Sequence, residues 1–119
     1  MRKKDQKSGL KTMKWTDKKI VEWHHATFPD VDLKSQILKF LEEYREYLES
    51  GDIMELADIV IVNVVLISRF NFMGFVDIIK DEALTVYPAL LKAVDLKMEI
   101  NRKRKWHKVR GVYRHKEGK

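Results

Sequence analysis

Apolar residues recur through the middle of the chain at helical spacing. Behind Asp32, a good N-terminal cap, Leu33, Ile37, Phe40, Leu41, Tyr44 and Leu48 follow a 3.6-residue period until Ser50-Gly51 ends the run. A second cap at Asp52 opens a further segment through Glu55 to about Phe70. Its centre, Ile59 to Ile67, is rich enough in β-branched residues to suit a buried strand. With Leu56 and Ala57 in front and Phe70 and Phe72 behind, however, the tract exceeds the usual strand of about five or six residues. It therefore predicts a helix that is apolar round its whole circumference.

The flanks complete a helical pattern. Thr16 followed by Asp17 caps a short helix through Ile20, Val21 and Trp23, which must stop before Phe28-Pro29 because a residue preceding proline is pushed out of the α region. Asn71 to Gly74 reads as a break, Phe75 to Leu84 as a short helix, and Pro88 as the first turn of a last helix reaching about Arg104. Residues 1–14 form a basic N-terminal arm containing Gly9, residues 15–105 the folded domain, and residues 106–119 a basic tail containing Gly111. The expected fold is all-α, a small bundle of four to five helices. A chain this short leaves much apolar surface uncovered, so the core is expected to be completed by self-association into a homo-oligomer, a dimer or tetramer.

Composition narrows the chemistry. The absence of cysteine excludes a disulfide framework and thiolate zinc sites. The N-terminus begins Met-Arg-Lys-Lys-Asp-Gln-Lys without an apolar run behind it, and the tract from Ile53 to Ile67 is interrupted by Glu55, Asp58 and Asn63. Both features point to a cytoplasmic protein with no membrane partner. The net charge of +6 is unevenly spread: residues 1–19 carry eight Lys/Arg against two acids, residues 97–119 ten against two, and residues 20–96 six against fourteen. An acidic body between cationic ends suits a phosphate-bearing ligand.

Two acidic pairs supply the candidate chemistry. Glu43 and Glu46 lie late in one predicted helix, Glu55 and Asp58 at the start of the next, each pair at i, i+3 spacing so that both carboxylates leave the same side. Eight residues separate the pairs, with Ser50-Gly51 at their centre, which suits a tight helical hairpin that brings the four carboxylates face to face. Such a cluster repels itself unless a cation neutralises it, and oxygen ligands without cysteine favour magnesium, with manganese as the other candidate. Acids on a helix also occur as plain solvated surface, and acids in a first turn complement the helix dipole. Glu49 fits that simpler role; Glu42 adjoins the cluster as a further candidate, as base or as support for a ligand.

Glu42-Glu43-Tyr44-Arg45-Glu46 followed by Glu55-Leu56-Ala57-Asp58 resembles the MazG motif, Glu-Glu-x-x-Glu then Glu-x-x-Asp. The flanks His25-Ala26-Thr27-Phe28-Pro29, Gln36 and Lys39, and the later Asn101-Arg102-Lys103-Arg104-Lys105-Trp106 with Gly111 and His115, look like the small phage and bacterial dATP/dGTP pyrophosphohydrolase branch of that superfamily. The likeness spans about residues 22 to 115, and the short gap between the acidic motifs is at home in that branch.

The resemblance implies hydrolysis of a (deoxy)nucleoside triphosphate to the monophosphate and pyrophosphate by metal-activated water, for control of a nucleotide pool in a bacterial cell or on behalf of a phage. Glu43, Glu46, Glu55 and Asp58 would hold magnesium. Lys97, Asn101 and Arg104 recur at spacings of four and three and so share a helix face that could grip phosphates, with Lys39 as a further contact. Phe28, Trp23 and Trp106 are suited either to stacking on a base or to ordinary packing. His24 and His25 form neither a metal-binding pair nor part of a triad, which leaves them a packing or polar role. Arg114 and His115 are weaker phosphate candidates. Two other classes remain open: a nucleic-acid-binding protein, favoured by the basic ends but opposed by the acidic middle and by the lack of a recognition motif, and a catalytically silent helical interaction module.

Overall fold

In the computed structural model the described residues are 14–109 and 112–115, with side chains described for 14–107. The basic arm over residues 1–13, Gly111, and the side chains of Arg114 and His115 lie outside them.

Among the described residues five helices follow one another. α1 (Asp17–Thr27) starts at Thr16, whose side chain accepts from the Lys19 amide, and closes at Phe28 ahead of Pro29. α2 (Leu33–Ser50) opens with a reciprocal capping box between Asp32 and Ser35 and ends at Gly51, whose φ of 67° lies in the left-handed region open to glycine. α3 (Ile53–Phe70) is capped by Asp52, which accepts from the Met54 amide at 2.9 Å, and ends at Asn71 with a φ of 56°. α4 (Val76–Thr85) and α5 (Tyr87–Lys103) follow, with Pro88 in the first turn of α5 where its missing N–H costs nothing. The tract rich in β-branched residues is thus helical, as its length required.

α3 is the axis of the bundle, packed against α2, α5 and α1, with α4 a lighter contact. Ile20, Phe40, Leu56, Ile59, Val65, Leu66, Val94 and Met98 are fully buried around it. Each such side chain contributes about 1.5–3 kcal/mol through the apolar surface it withdraws from water. Phe75, in the α3–α4 loop, stacks on Phe40 of α2 with ring centres 4.1 Å apart, and Phe72 meets Phe75 edge-on. The loop is thereby held beneath α2.

The apolar repeat along α2 does not simply mark its buried face. Phe40 is buried and Ile37 and Tyr44 are half-buried, but Leu33, Leu41 and Leu48 are exposed, whereas Gln36 and Glu43 point inward. The helix is turned about its axis so that a polar row faces α3.

The ends are more structured than their charge suggests. The backbone amides of Lys14 and Trp15 both donate to the Asp95 carboxylate, at 2.9 and 2.8 Å, and the Trp15 indole donates to Glu99 at 2.9 Å, tying the chain entry onto α5. The segment from residue 106, read as a tail, contains an antiparallel pair, β1 (Trp106–Val109) and β2 (Val112–His115), with Trp106 opposite His115. β2 lies beside α2. Trp-His-Lys-Val, apolar only at its two ends, carries no period-two alternation that would have marked a strand in the sequence. No helix of the described residues is long and apolar enough to cross a membrane.

Candidate functional site

A cavity of about 260 Å³ opens between α1, α2, α3, α5 and the start of β1. Its volume is close to the small end of ordinary small-molecule sites. Three rows of side chains line it, each at helical spacing: Gln36, Lys39, Glu43 and Glu46 from α2, Glu55, Asp58, Val62 and Val65 from α3, and Lys97 and Asn101 from α5, continued by Arg104. Glu42 and Phe28 line it as well, so Glu42, Glu43, Glu46, Glu55 and Asp58 face one space together with Phe28, Lys39, Lys97, Asn101 and Arg104, while the side chains of Arg114 and His115 lie outside the described residues. The left-handed turn at Gly51 and the cap at Asp52 fold α2 back on α3 and set the two acidic pairs opposite each other.

Within this group Glu43, Glu55 and Asp58 each offer an oxygen within 4.8 Å of the others, an arrangement able to hold a metal ion. Glu46 lines the same cavity but stands outside that trio. Glu43 is 8% exposed, and its Oε1 and the Oε1 of Glu55 are buried without a hydrogen-bond partner. A buried carboxylate oxygen without a partner is costly, and a hard cation coordinated by oxygen removes that cost. The donor set therefore fits magnesium or manganese.

Two ammonium groups offset part of the charge. Lys97 Nζ lies 3.1 Å from Asp58 Oδ2, and Lys39 Nζ lies 3.1 Å from Glu43 Oε2 and 3.8 Å from a Glu42 oxygen. Asp58 is nonetheless pushed up to about 7, first by burial and then by repulsion from Glu43, with Lys97 pulling the other way. Glu46 is also pushed up to about 7, by burial and then by Glu43 and Glu55. Asp58 and Glu46 therefore resist ionisation beside their acidic neighbours.

The opposite end of the cavity is aromatic. Trp23, Phe28 and Trp106 meet edge to face, with ring centres 5.4 Å apart for Trp23 and Phe28 and 5.2 Å apart for Phe28 and Trp106. The Trp106 indole donates to the Asn101 carbonyl at 3.2 Å, which anchors the first strand residue to the end of α5. Behind this wall Arg69, from the last turn of α3, donates to the carbonyls of Phe28 and Pro29, both at 2.9 Å, and to His24 Nδ1 at 2.9 Å. Arginine only donates, so Nδ1 accepts and the imidazole proton resides on Nε2. Burial, then the Arg69 charge, hold His24 down to about 3 against a hydrogen bond with Gln36. His24 is thus a buried neutral packing residue, in keeping with the role its spacing left it.

Gln36 is the residue that sequence reasoning undervalued. It is 3% exposed, lines the cavity between the acidic and aromatic ends, and makes a long contact of 3.5 Å to the Val62 carbonyl. Its signal was present: it lies three residues before Lys39 and seven before Glu43, on the same helix face. Compared with protein-family models, with curated proteins and with solved structures, the chain has no match.

Proposed function

We propose that this chain is a MazG-like pyrophosphohydrolase that cleaves a (deoxy)nucleoside triphosphate to the monophosphate and pyrophosphate with magnesium or manganese. The observation that carries the reading is the trio Glu43, Glu55 and Asp58, its oxygens within 4.8 Å and two of its buried oxygens without partners, at one end of a cavity walled with aromatic rings at the other. That polarity matches a nucleotide, whose phosphates need cations and whose base needs a flat apolar surface.

Glu43, Glu55 and Asp58 would hold the ion, with Glu46 at the margin of the group. A divalent ion bound there supplies charge neutralisation and Lewis acidity at the phosphates. Lys97, Asn101, Arg104 and Lys39 line the space the phosphates would fill, and Phe28, Trp23 and Trp106 the space of the base. In the reaction a water oxygen adds to the α-phosphorus, the bond to the bridging oxygen breaks, and pyrophosphate leaves. The water proton passes to a carboxylate, for which Glu42 and Glu46 stand outside the trio. Leu38, Leu41 and Leu48, exposed along α2, support self-association of the chain. A cytoplasmic role in nucleotide-pool control follows from the proposed chemistry.

The test is pyrophosphate release from each common dNTP and NTP with magnesium. Metal-dependent release from the native chain, reduced on the order of a hundredfold or more in Glu43→Gln and Asp58→Asn, is the expected result. A folded native protein that leaves every nucleotide intact would sink the proposal in favour of an interaction module.

A further inference from the structure

We infer that Lys97 and Lys39 are exchangeable counter-ions, which occupy metal-ligand oxygens in the absence of a divalent ion and transfer to the phosphates when the ion arrives. The inference rests on the metal-dependent reading above and deepens it, because it makes metal and nucleotide binding cooperative through two named side chains.

The argument is one of shared oxygens. Lys97 Nζ sits 3.1 Å from Oδ2 of Asp58, and Lys39 Nζ sits 3.1 Å from Oε2 of Glu43, so both lysines hold carboxylates of the trio. A hard divalent ion drawing oxygens from Glu43, Glu55 and Asp58 takes over the charge that the ammonium groups now balance. Two positive charges a few ångströms from a divalent cation, in a partly buried site, repel it. The lysines must then give way.

They cannot go far. The Lys97 side chain is 12% exposed and the Lys39 side chain 21%, and both project from rigid helices into the cavity that holds Asn101 and Arg104. A triphosphate entering with its metal brings several negative charges to that same space. The displaced ammonium groups therefore move from carboxylate to phosphate within one cavity, each remaining paired throughout. Because ligand coupling is reciprocal, metal that frees the lysines tightens the nucleotide, and nucleotide that captures them tightens the metal.

This assigns the lysines a different role from a permanent structural ion pair or a phosphate contact that never touches the acids. The three alternatives separate in one pair of measurements, Mn²⁺ affinity in the absence of nucleotide and KM for the magnesium–nucleotide complex, made on the native chain, Lys97→Met and Lys39→Met. Exchange predicts opposite movements: Mn²⁺ alone binds tighter, on the order of tenfold, while KM rises by a similar factor. Lys39, the more exposed of the two, keeps the test sound if Lys97→Met folds poorly.

Tighter Mn²⁺ with an unchanged KM would show a lysine that is only a counter-ion, and unchanged or weaker Mn²⁺ would show one that never competes with metal. Either result overturns the inference while leaving the enzyme reading intact. A native chain that binds no Mn²⁺ at all removes the metal reading itself, and the inference with it.

Discussion

Arg69 donates to the backbone carbonyl of Phe28 over 2.9 Å, joining the last turn of α3 to the loop that carries the central ring of the aromatic wall. The same side chain also holds Pro29 O and His24 Nδ1, so one guanidinium satisfies three acceptors and sets where the Phe28 ring stands relative to the acids on α3. Hydrogen bonds from a charged donor are worth about 1.5–3 kcal/mol each when their loss leaves the acceptor unpaired. Arg69→Met is expected to lower stability by about 2–4 kcal/mol, read from the urea midpoint, since the acceptors partly recover water. In the proposed reaction it is expected to raise KM more than it lowers kcat, because the residue shapes the base end and touches no reacting atom.

His24 makes acid stability a second test. Its folded pKa, about 3, lies below the usual 6.5, so between those values the unfolded chain binds a proton that the folded chain refuses. The stabilising contribution is complete above pH 6.5 and is lost progressively as pH falls toward 3, on the order of 1 kcal/mol per pH unit. Denaturant midpoints measured from pH 7 to pH 4 should fall in the native chain and fall less steeply in His24→Gln. Equal slopes would show that other groups dominate.

The acidic cluster has the opposite sign. Asp58 and Glu46 are raised to about 7, so the folded state holds protons that the unfolded state releases near pH 4, and their contribution is full below pH 4 and lost as pH rises through 7. A divalent ion reverses this by favouring the charged forms. Magnesium is therefore expected to raise the melting temperature little at pH 5 and by several degrees at pH 8. Glu43→Gln, which removes a buried charge beside Asp58, is expected to abolish that gain without lowering stability in the presence of chelator. An equal magnesium effect at both pH values would contradict it.

Gly51 is the backbone counterpart of this electrostatic problem. Its φ of 67° is strained for any residue with a β-carbon, although a β-carbon there would meet no atom within 4 Å. Gly51→Ala should therefore cost about 1–2 kcal/mol from conformation alone, and Gly51→Asn less, because asparagine tolerates the left-handed region. Thermal melts of the two variants check the order.

Much of this was legible along the chain. Asp32, Ser50-Gly51, Asp52 and Pro88 marked helix ends because caps and breakers act through local hydrogen bonds and dihedral limits, and local physics is written in local sequence. The i, i+3 spacing of the acidic pairs likewise placed each pair on one side of its helix, whatever that helix would pack against.

Tertiary structure decided the rest. The apolar period of α2 named Leu33, Leu41 and Leu48 among its repeating positions, yet these are exposed and Gln36 and Glu43 are buried, because the rotation of a helix is settled by the partner it faces as well as by its own pattern. It was the packing of α3 against both α2 and α5 that selected Glu43, Glu55 and Asp58 as the compact trio, left Glu46 at its margin, and brought Lys97 to Asp58 from a helix thirty-nine residues along the sequence. Spacing within a helix can say which side chains leave together; only the contacts between helices determine what they meet.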